Sequence, residues 1–347
     1  MKKILILVGI VLVGLLIISA WLLFGSATSF TGKSAYVFIR NGQSAEAQVK
    51  AQFDTGNIIK FPWLFNLAAS QTGIWEKLKP GRFEIKKDET ILDMARMFRN
   101  NAQSPVKLVI TKLRTKENLA RLISKNFDID SAAVMQSLTN NDSLKQFAAD
   151  TNTVMSLLIP DTYQLKWNLS LNDIMNRLKT ESDKYWQQNN RIEKAKQHGL
   201  TPLQAYTIAS IVEEETNKES DKGKIASVYI NRLDKGMPLA ADPTIKYALR
   251  DFSLKRILFG HLSVASSYNT YRNKGLPPGP ICTPSKNTLD AVLDAPKTDY
   301  LFFVATSDFS GYSHFSSTFA EHDRYARDYQ KALNDMGSKK NTAGEKN

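Results

Sequence analysis

Three consecutive carboxylates, Glu213-Glu214-Glu215, end an otherwise apolar stretch of this chain. A carboxyl group carried into apolar surroundings resists ionisation. If it is still protonated near neutral pH, it can serve as a general acid. Helical spacing separates the three. Glu215 follows Ile208, Ile211 and Val212 on one face, an aliphatic stripe. Glu214 follows Thr207 and Ser210, the most polar stripe available, and is expected to be solvated. Glu213 follows Tyr206, Ala209 and Ser210, an intermediate setting. Glu215 is therefore the candidate acid. The partial negative charge at a helix C-terminus pushes its pKa the same way.

The element that must carry these acids begins at Thr201-Pro202-Leu203-Gln204. Thr201 fits a helix N-cap, Pro202 the first helical position and Gln204 the partner in a capping box. The residues that follow are apolar nearly all round, which predicts a buried helix. Downstream lie three clusters rich in hydrogen-bonding and special-backbone residues. They are Asn231-Arg232-Leu233 with Asp242-Pro243-Thr244, then Ser267-Tyr268-Asn269-Thr270-Tyr271, then Gly275-Leu276-Pro277-Pro278-Gly279-Pro280. Amides and hydroxyls read sugar hydroxyls, and aromatic faces cover the apolar side of a sugar ring. Each cluster alone also reads as a loop held by its own capping bonds.

Other chemistries find no support. No GxSxG elbow or GxxxxGK phosphate loop occurs. His198, His261, His314 and His322 form no HExxH pair, so no metal site is expected. His322 remains a candidate structural partner of the site. The single Cys282 excludes an intramolecular disulfide and any multi-cysteine metal site.

The chain has 347 residues, 42% hydrophobic and 23% charged, enough for two or three domains with a sizeable core. Met1-Lys2-Lys3 precedes an uncharged apolar run from Ile4 to Phe24. That run exceeds a signal-peptide core and suffices to cross a bilayer. The lysines place the N-terminus in the cytoplasm and the bulk of the chain outside it. A net charge of +12 favours acidic surroundings such as anionic lipid or wall polymer. Nucleic acid is not expected outside the cytoplasm.

The spacing predicts a strand at Ala35 to Ile39, helices opening at Ser44, Pro62 and Thr90, and a strand at Arg82 to Ile85. Further strands are expected at Val106 to Thr111 and after Pro160. Residues 116–147 read as helical, as do Leu171 to Gln187, Asp221 to Leu233 and Ala320 to Leu333. Asp242 reads as a cap before Pro243. Leu301 to Ala305 and Ser313 to Ser316 read as paired strands. The expected organisation is a cytoplasmic terminus 1–3, a transmembrane helix 4–24, a linker 25–34, a small α+β segment 35–104, a main domain 105–336 and a flexible tail 337–347.

These blocks, taken in order, carry a resemblance. Ile208-Ala209-Ser210-Ile211-Val212-Glu213 with Glu215-Thr216 is similar to the signature of the MltG (YceG-like) endolytic murein transglycosylases. Ala226 to Leu233, Met237-Pro238-Leu239, Asp242-Pro243-Thr244, Tyr268 to Tyr271, Gly275 to Ile281 and His314-Phe315-Ser316 to Glu321-His322 follow in the family's order. The likeness is clear from about Leu158 to Leu333. Departures are Met155-Ser156-Leu157, where the family more often has Glu-Gly, Asp323 in place of Asn, and a divergent Thr111 to Thr115.

The resemblance implies an α+β fold in which a LysM-like subdomain over 35–104 precedes a mixed α/β catalytic domain. It implies cleavage of the β-1,4 bond between N-acetylmuramic acid and N-acetylglucosamine, with a 1,6-anhydro end formed and glycan elongation terminated. It assigns Glu215 as the catalytic acid and then base, with Glu213 a candidate helper. Asn231, Asp242, Thr244, Tyr268, Asn269 and Thr270 are the implied substrate-positioning residues. No cofactor is implied. The implied partners are peptidoglycan strands, the membrane and peptidoglycan synthases. The implied location is the cytoplasmic (inner) membrane, with the catalytic domain periplasmic in a Gram-negative cell. Two alternatives are a water-using muramidase, for which Asp242 is the obvious second carboxylate, and a non-catalytic wall-binding scaffold.

Overall fold

The apolar run near the N-terminus forms α1 (Lys2–Phe24) in the computed structural model, which describes residues 2–344. Lys3–Phe24 is long and apolar enough to span a membrane, and its side chains are exposed along nearly the whole length. That pattern fits a single membrane span.

Then follow β1 (Ser34–Ile39), α2 (Ala45–Thr55), α3 (Pro62–Gln71), α4 (Ile74–Lys77), β2 (Gly81–Lys86) and α5 (Ile91–Arg99). Next come β3 (Val106–Ile110), α6 (Lys116–Asn126), α7 (Ser131–Leu138), α8 (Asn141–Leu144) and β4 (Asp161–Leu165). The chain continues through α9 (Leu171–Gln187), α10 (Arg191–Gln197), α11 (Pro202–Glu215), α12 (Glu219–Asp234) and α13 (Asp242–Leu249). It closes with α14 (Lys286–Leu293), β5 (Phe302–Ala305), β6 (Ser313–Ser316) and α15 (Phe319–Gly344). The strands pair in three two-stranded sheets, β1 with β2, β3 with β4 and β5 with β6.

Chain contacts define two compact units. The first runs to Leu108 and takes in Ser124–Ile129 and Tyr163–Ser170. The second comprises Val109–Ile123, Asp130–Thr162 and the chain from Leu171 onward. The two later returns to the first unit are invisible to a linear division of the sequence.

In the first unit β1 and β2 are antiparallel, with Val37 opposite Phe83 and Ile39 opposite Gly81. Val37, Ile39, Phe83 and Ile85 turn inward at the two-residue strand period. Phe53, Phe65, Phe83 and Phe98 meet there edge-on or tilted, the arrangement that ring quadrupoles favour. Ser44 caps α2, and a Thr90–Asp93 capping box opens α5.

In the second unit α11 is the central helix. Every residue from Ala205 to Val212 is buried. Thr201 accepts from the Gln204 amide at 3.2 Å, and Gln204 accepts from the Thr201 amide at 2.8 Å, so the capping box is formed. Ile225, Ala226 and Tyr229 of α12 and Leu289, Val292 and Leu293 of α14 belong to the same core.

Four expectations need correction. Residues 116–147 form not one helical stretch but α6, α7, α8 and a short 3₁₀ turn. Asp130 and Asn140 cap new helices, since their side chains accept from amides two and three residues on. α12 begins at Glu219, two residues early. Ala241, not Asp242, occupies the N-cap position of α13, without a side-chain cap, and the Asp242 carboxylate accepts from the Tyr271 hydroxyl. The last helix passes Leu333 and reaches Gly344. No proline interrupts that segment, and extending a formed helix needs no new nucleus. The expected tail thus begins within α15, and Glu345 to Asn347 lie outside the described residues.

Candidate active site

The end of α11 fans the three carboxylates onto three different partners. Glu215 faces α12, where the Tyr229 hydroxyl donates to its Oε1 at 2.6 Å. Burial pushes the Glu215 carboxyl up to about 7. The Tyr229 bond opposes that rise, the Asp242 charge reinforces it, and Lys246 and Arg232 oppose it. Tyr229 is itself buried, and its ring meets Phe303 edge-on at 6.0 Å. Burial and the neighbouring carboxylate hold its hydroxyl well above the usual tyrosine range, so it remains a donor.

Glu214 is not solvated. Arg114 grips it with two bonds of 2.9 Å, and Lys112 lies at 3.5 Å. The paired guanidinium and carboxylate planes make this a fork rather than a loose ion pair. Arg114 in turn lies over the Phe252 ring at 5.1 Å.

Glu213 turns toward α14. Its Oε2 accepts from the Ser285 hydroxyl at 2.9 Å, the Ser285 amide at 3.3 Å and the Thr288 hydroxyl. Ser285 is the N-cap of α14, so Glu213 places a negative charge where the helix dipole favours it. Residues two apart on a helix point to opposite sides, so this carboxylate lies away from Glu215. Glu213→Ala is therefore expected to cost about 1–2 kcal/mol in urea unfolding, the value of a charge-assisted cap. Glycan cleavage should fall less than about tenfold. A larger loss, with stability unchanged, would support the helper role.

The neutral residues singled out in the sequence are placed unevenly. Thr244, Asn269 and Thr270 are fully buried. Thr244 and Thr270 join their hydroxyls at 2.8 Å, and Thr270 accepts from the Ala241 amide at 3.0 Å. The Asn269 amide donates to the Leu262 and Val264 carbonyls, both at 2.9 Å, and its oxygen accepts from the Tyr271 amide. These groups hold the loops around α13. Asn231 donates to the Thr298 and Tyr300 carbonyls at 2.9 Å each, fixing the chain before β5. Tyr268 packs on Tyr247 with ring centroids 4.7 Å apart.

Asp242 remains exposed and accepts from the Tyr271 hydroxyl at 2.5 Å. It is close enough for its charge to be felt at Glu215. His322 stacks on Phe302, the ring that also receives the Arg232 guanidinium.

The third downstream cluster docks on α11 directly. The Ile281 amide donates to the Ser210 hydroxyl at 3.0 Å. Gly279 passes so close to the Asn152 carbonyl that a side chain would collide with it at 2.1 Å.

Sequence reading gave no individual role to Tyr229, Arg232, Lys246, Tyr271 or Arg114, although Arg232 and Tyr271 lie within the clusters it singled out. Tyr229 left one signal. A tyrosine on the apolar side of a helix needs a partner for its hydroxyl, and the nearest unmatched acids were those at the end of α11.

The geometry presents a candidate acid–base site on a mixed helix–strand fold, built around one carboxyl pushed up to about 7. The YceG-like family model matches residues 37–328, and the chain belongs to the YceG-like family. It is 33% identical over 226 residues to the endolytic murein transglycosylase of Bacillus subtilis, covering 65% of this chain and 61% of that protein. It is 24% identical over 322 residues to the endolytic murein transglycosylase of Streptococcus pneumoniae serotype 2, covering 84% of this chain and 58% of that protein. The chain thus spans about three fifths of the length of these curated relatives. A crystal structure of a YceG-like protein from Listeria monocytogenes shares the fold with a TM-score of 0.54 at 26% identity, covering 84% of this chain and 99% of that one.

Proposed function

We propose that this chain is a membrane-tethered lytic transglycosylase that cuts peptidoglycan strands internally. The observation that carries this reading is the Glu215 carboxyl, half-buried at the end of α11, held by Tyr229 and pushed up to about 7 by desolvation. Protonated Glu215 gives its proton to the glycosidic oxygen as the β-1,4 bond between N-acetylmuramic acid and N-acetylglucosamine breaks. The carboxylate left behind takes the proton of the muramic C6 hydroxyl. That oxygen bonds to C1 and closes a 1,6-anhydro ring. One carboxylate serves both steps and no water is consumed, unlike the paired carboxylates of a hydrolytic glycosidase.

Exposed Asp242 and half-buried Tyr271 are the polar pair that would meet substrate beside the acid. Asn231, Thr244, Asn269 and Thr270 position it indirectly through the loops they hold. Tyr268 supplies an aromatic face. The antiparallel β1–β2 pair, with α2, α3 and α4 between its strands, supports reading the first unit as LysM-like.

Anchored by α1 with its lysines in the cytoplasm, the enzyme would act outside the inner membrane on strands still close to the bilayer. It would terminate their elongation beside the synthases. Digestion of isolated strands by the full chain tests the chemistry by mass spectrometry. Anhydro-muramic ends are expected. Reducing muramic ends would make it a muramidase using Asp242, and strand binding without fragments would make it a scaffold.

A further inference from the structure

The face of α3 turned away from the first unit's core is unusual for a helix in water. Its sequence, PWLFNLAASQ, contains no charged residue. Leu64, Phe65 and Ala69 are buried, which leaves Trp63, Leu67 and Ser70 in line on the outer side. Trp63 is 60% exposed and Leu67 52%. A solvent-facing helix surface is normally charged, and a tryptophan beside a leucine is a poor substitute in water.

The position of α3 accounts for this composition. The chain leaving α1 is stitched to the segment that leads into α3. The Lys60 amide donates to the Ala27 carbonyl at 2.8 Å, the Ser29 amide donates to the Ile58 carbonyl at 3.1 Å, and Thr28 and Ile59 form a β-bridge. Lys60 Nζ also donates to the Ser26 carbonyl at 3.0 Å. Ala27, Thr28, Ile58 and Ile59 are buried, so the junction is part of the unit's core. Trp21, in the last turn of α1, meets the ring of Phe61 edge-on at 6.2 Å. Phe61 is the residue before α3 begins. If α1 spans the bilayer, α3 starts at headgroup level.

We propose that α3 is an interfacial anchor whose Trp63–Leu67 face is covered by the same bilayer that holds α1. Tryptophan suits that depth because its ring is apolar and its N–H reaches polar headgroups. An apolar helix face lying in the interface plane gains by burying its side chains among acyl chains, without crossing the membrane. The single span would otherwise let the first unit swivel. A second contact beside its exit fixes how the unit stands on the membrane.

The test uses the full chain reconstituted in phosphatidylcholine–phosphatidylglycerol vesicles. Leu67→Cys is labelled with an environment-sensitive fluorophore. The native Cys282 is 1% exposed, so the added thiol takes the label. Asp54→Cys, on the exposed side of α2, is the control. The label at 67 is expected to shift to the blue and to lose about half its emission to lipids carrying a spin label near the headgroup, whereas the label at 54 does neither. A label at Ser70→Cys should be quenched likewise, and lose that quenching when Trp63→Ser and Leu67→Ser are added. Water-like emission at 67, whether because the face is bare or because a protein partner normally covers it, overturns the proposal. So does quenching at 70 that survives the double substitution.

Discussion

Glu215→Gln is expected to lower strand cleavage by about a thousandfold or more, because one carboxyl performs both the protonation and the deprotonation. The same substitution should make the fold more stable in alkali. The folded pKa of Glu215 is raised from 4.5 to about 7, so folding favours its protonated form. That contribution is fully present below about 4.5 and is lost as pH rises through about 7. Above pH 7 the wild type carries the cost of ionising a buried carboxyl, about 3 kcal/mol for a shift of this size. Glutamine is neutral throughout and can still accept from Tyr229. Urea unfolding should therefore find Glu215→Gln close to wild type at pH 4 and clearly more stable at pH 8. No gain at pH 8 would mean that the carboxyl is not desolvated. Retained cleavage would mean that another group is the acid.

Local physics made part of this site legible. The start of α11 was readable because a capping box is a contact between near neighbours. The identity of the desolvated acid was readable because the helical period and an aliphatic stripe suffice to choose a face. Glu214 shows where such reasoning stops. Its own stripe was polar, which in isolation means water. Its partner Arg114 is a hundred residues away and reaches it only after the fold forms. Thr244, Asn269 and Thr270 show the converse limit. Their residue types mark a polar constellation, but only tertiary structure decides whether a hydroxyl meets a ligand or a neighbouring loop. The division into units failed to read linearly for the same reason, since Ser124–Ile129 and Tyr163–Ser170 return to the first unit late in the chain.

Tyr229→Phe should separate tuning from mere packing. The ring keeps its place against Phe303, and only the hydroxyl is lost. That hydroxyl bonds to Glu215 at 2.6 Å and favours the ionised form. A hydrogen bond to a charged group contributes about 1.5–3 kcal/mol, so its loss should raise the Glu215 pKa by about 1–2 units. A general acid must be protonated at the start of the cycle, so kcat/KM falls as pH rises through that pKa. The alkaline limb of the profile should then move upward by the same amount. At pH 6, where the acid is protonated in both proteins, a further loss of about tenfold is expected from poorer orientation. Asp242→Asn supplies the opposite sign. The Asp242 charge helps to raise the Glu215 pKa, so removing it should move the limb downward, while asparagine can still accept from Tyr271. Opposite shifts from Tyr229→Phe and Asp242→Asn are the signature of one acid set between two neighbours. A loss of rate in both variants with neither limb displaced would show that the two residues only hold the structure together and that the pH dependence belongs to another group.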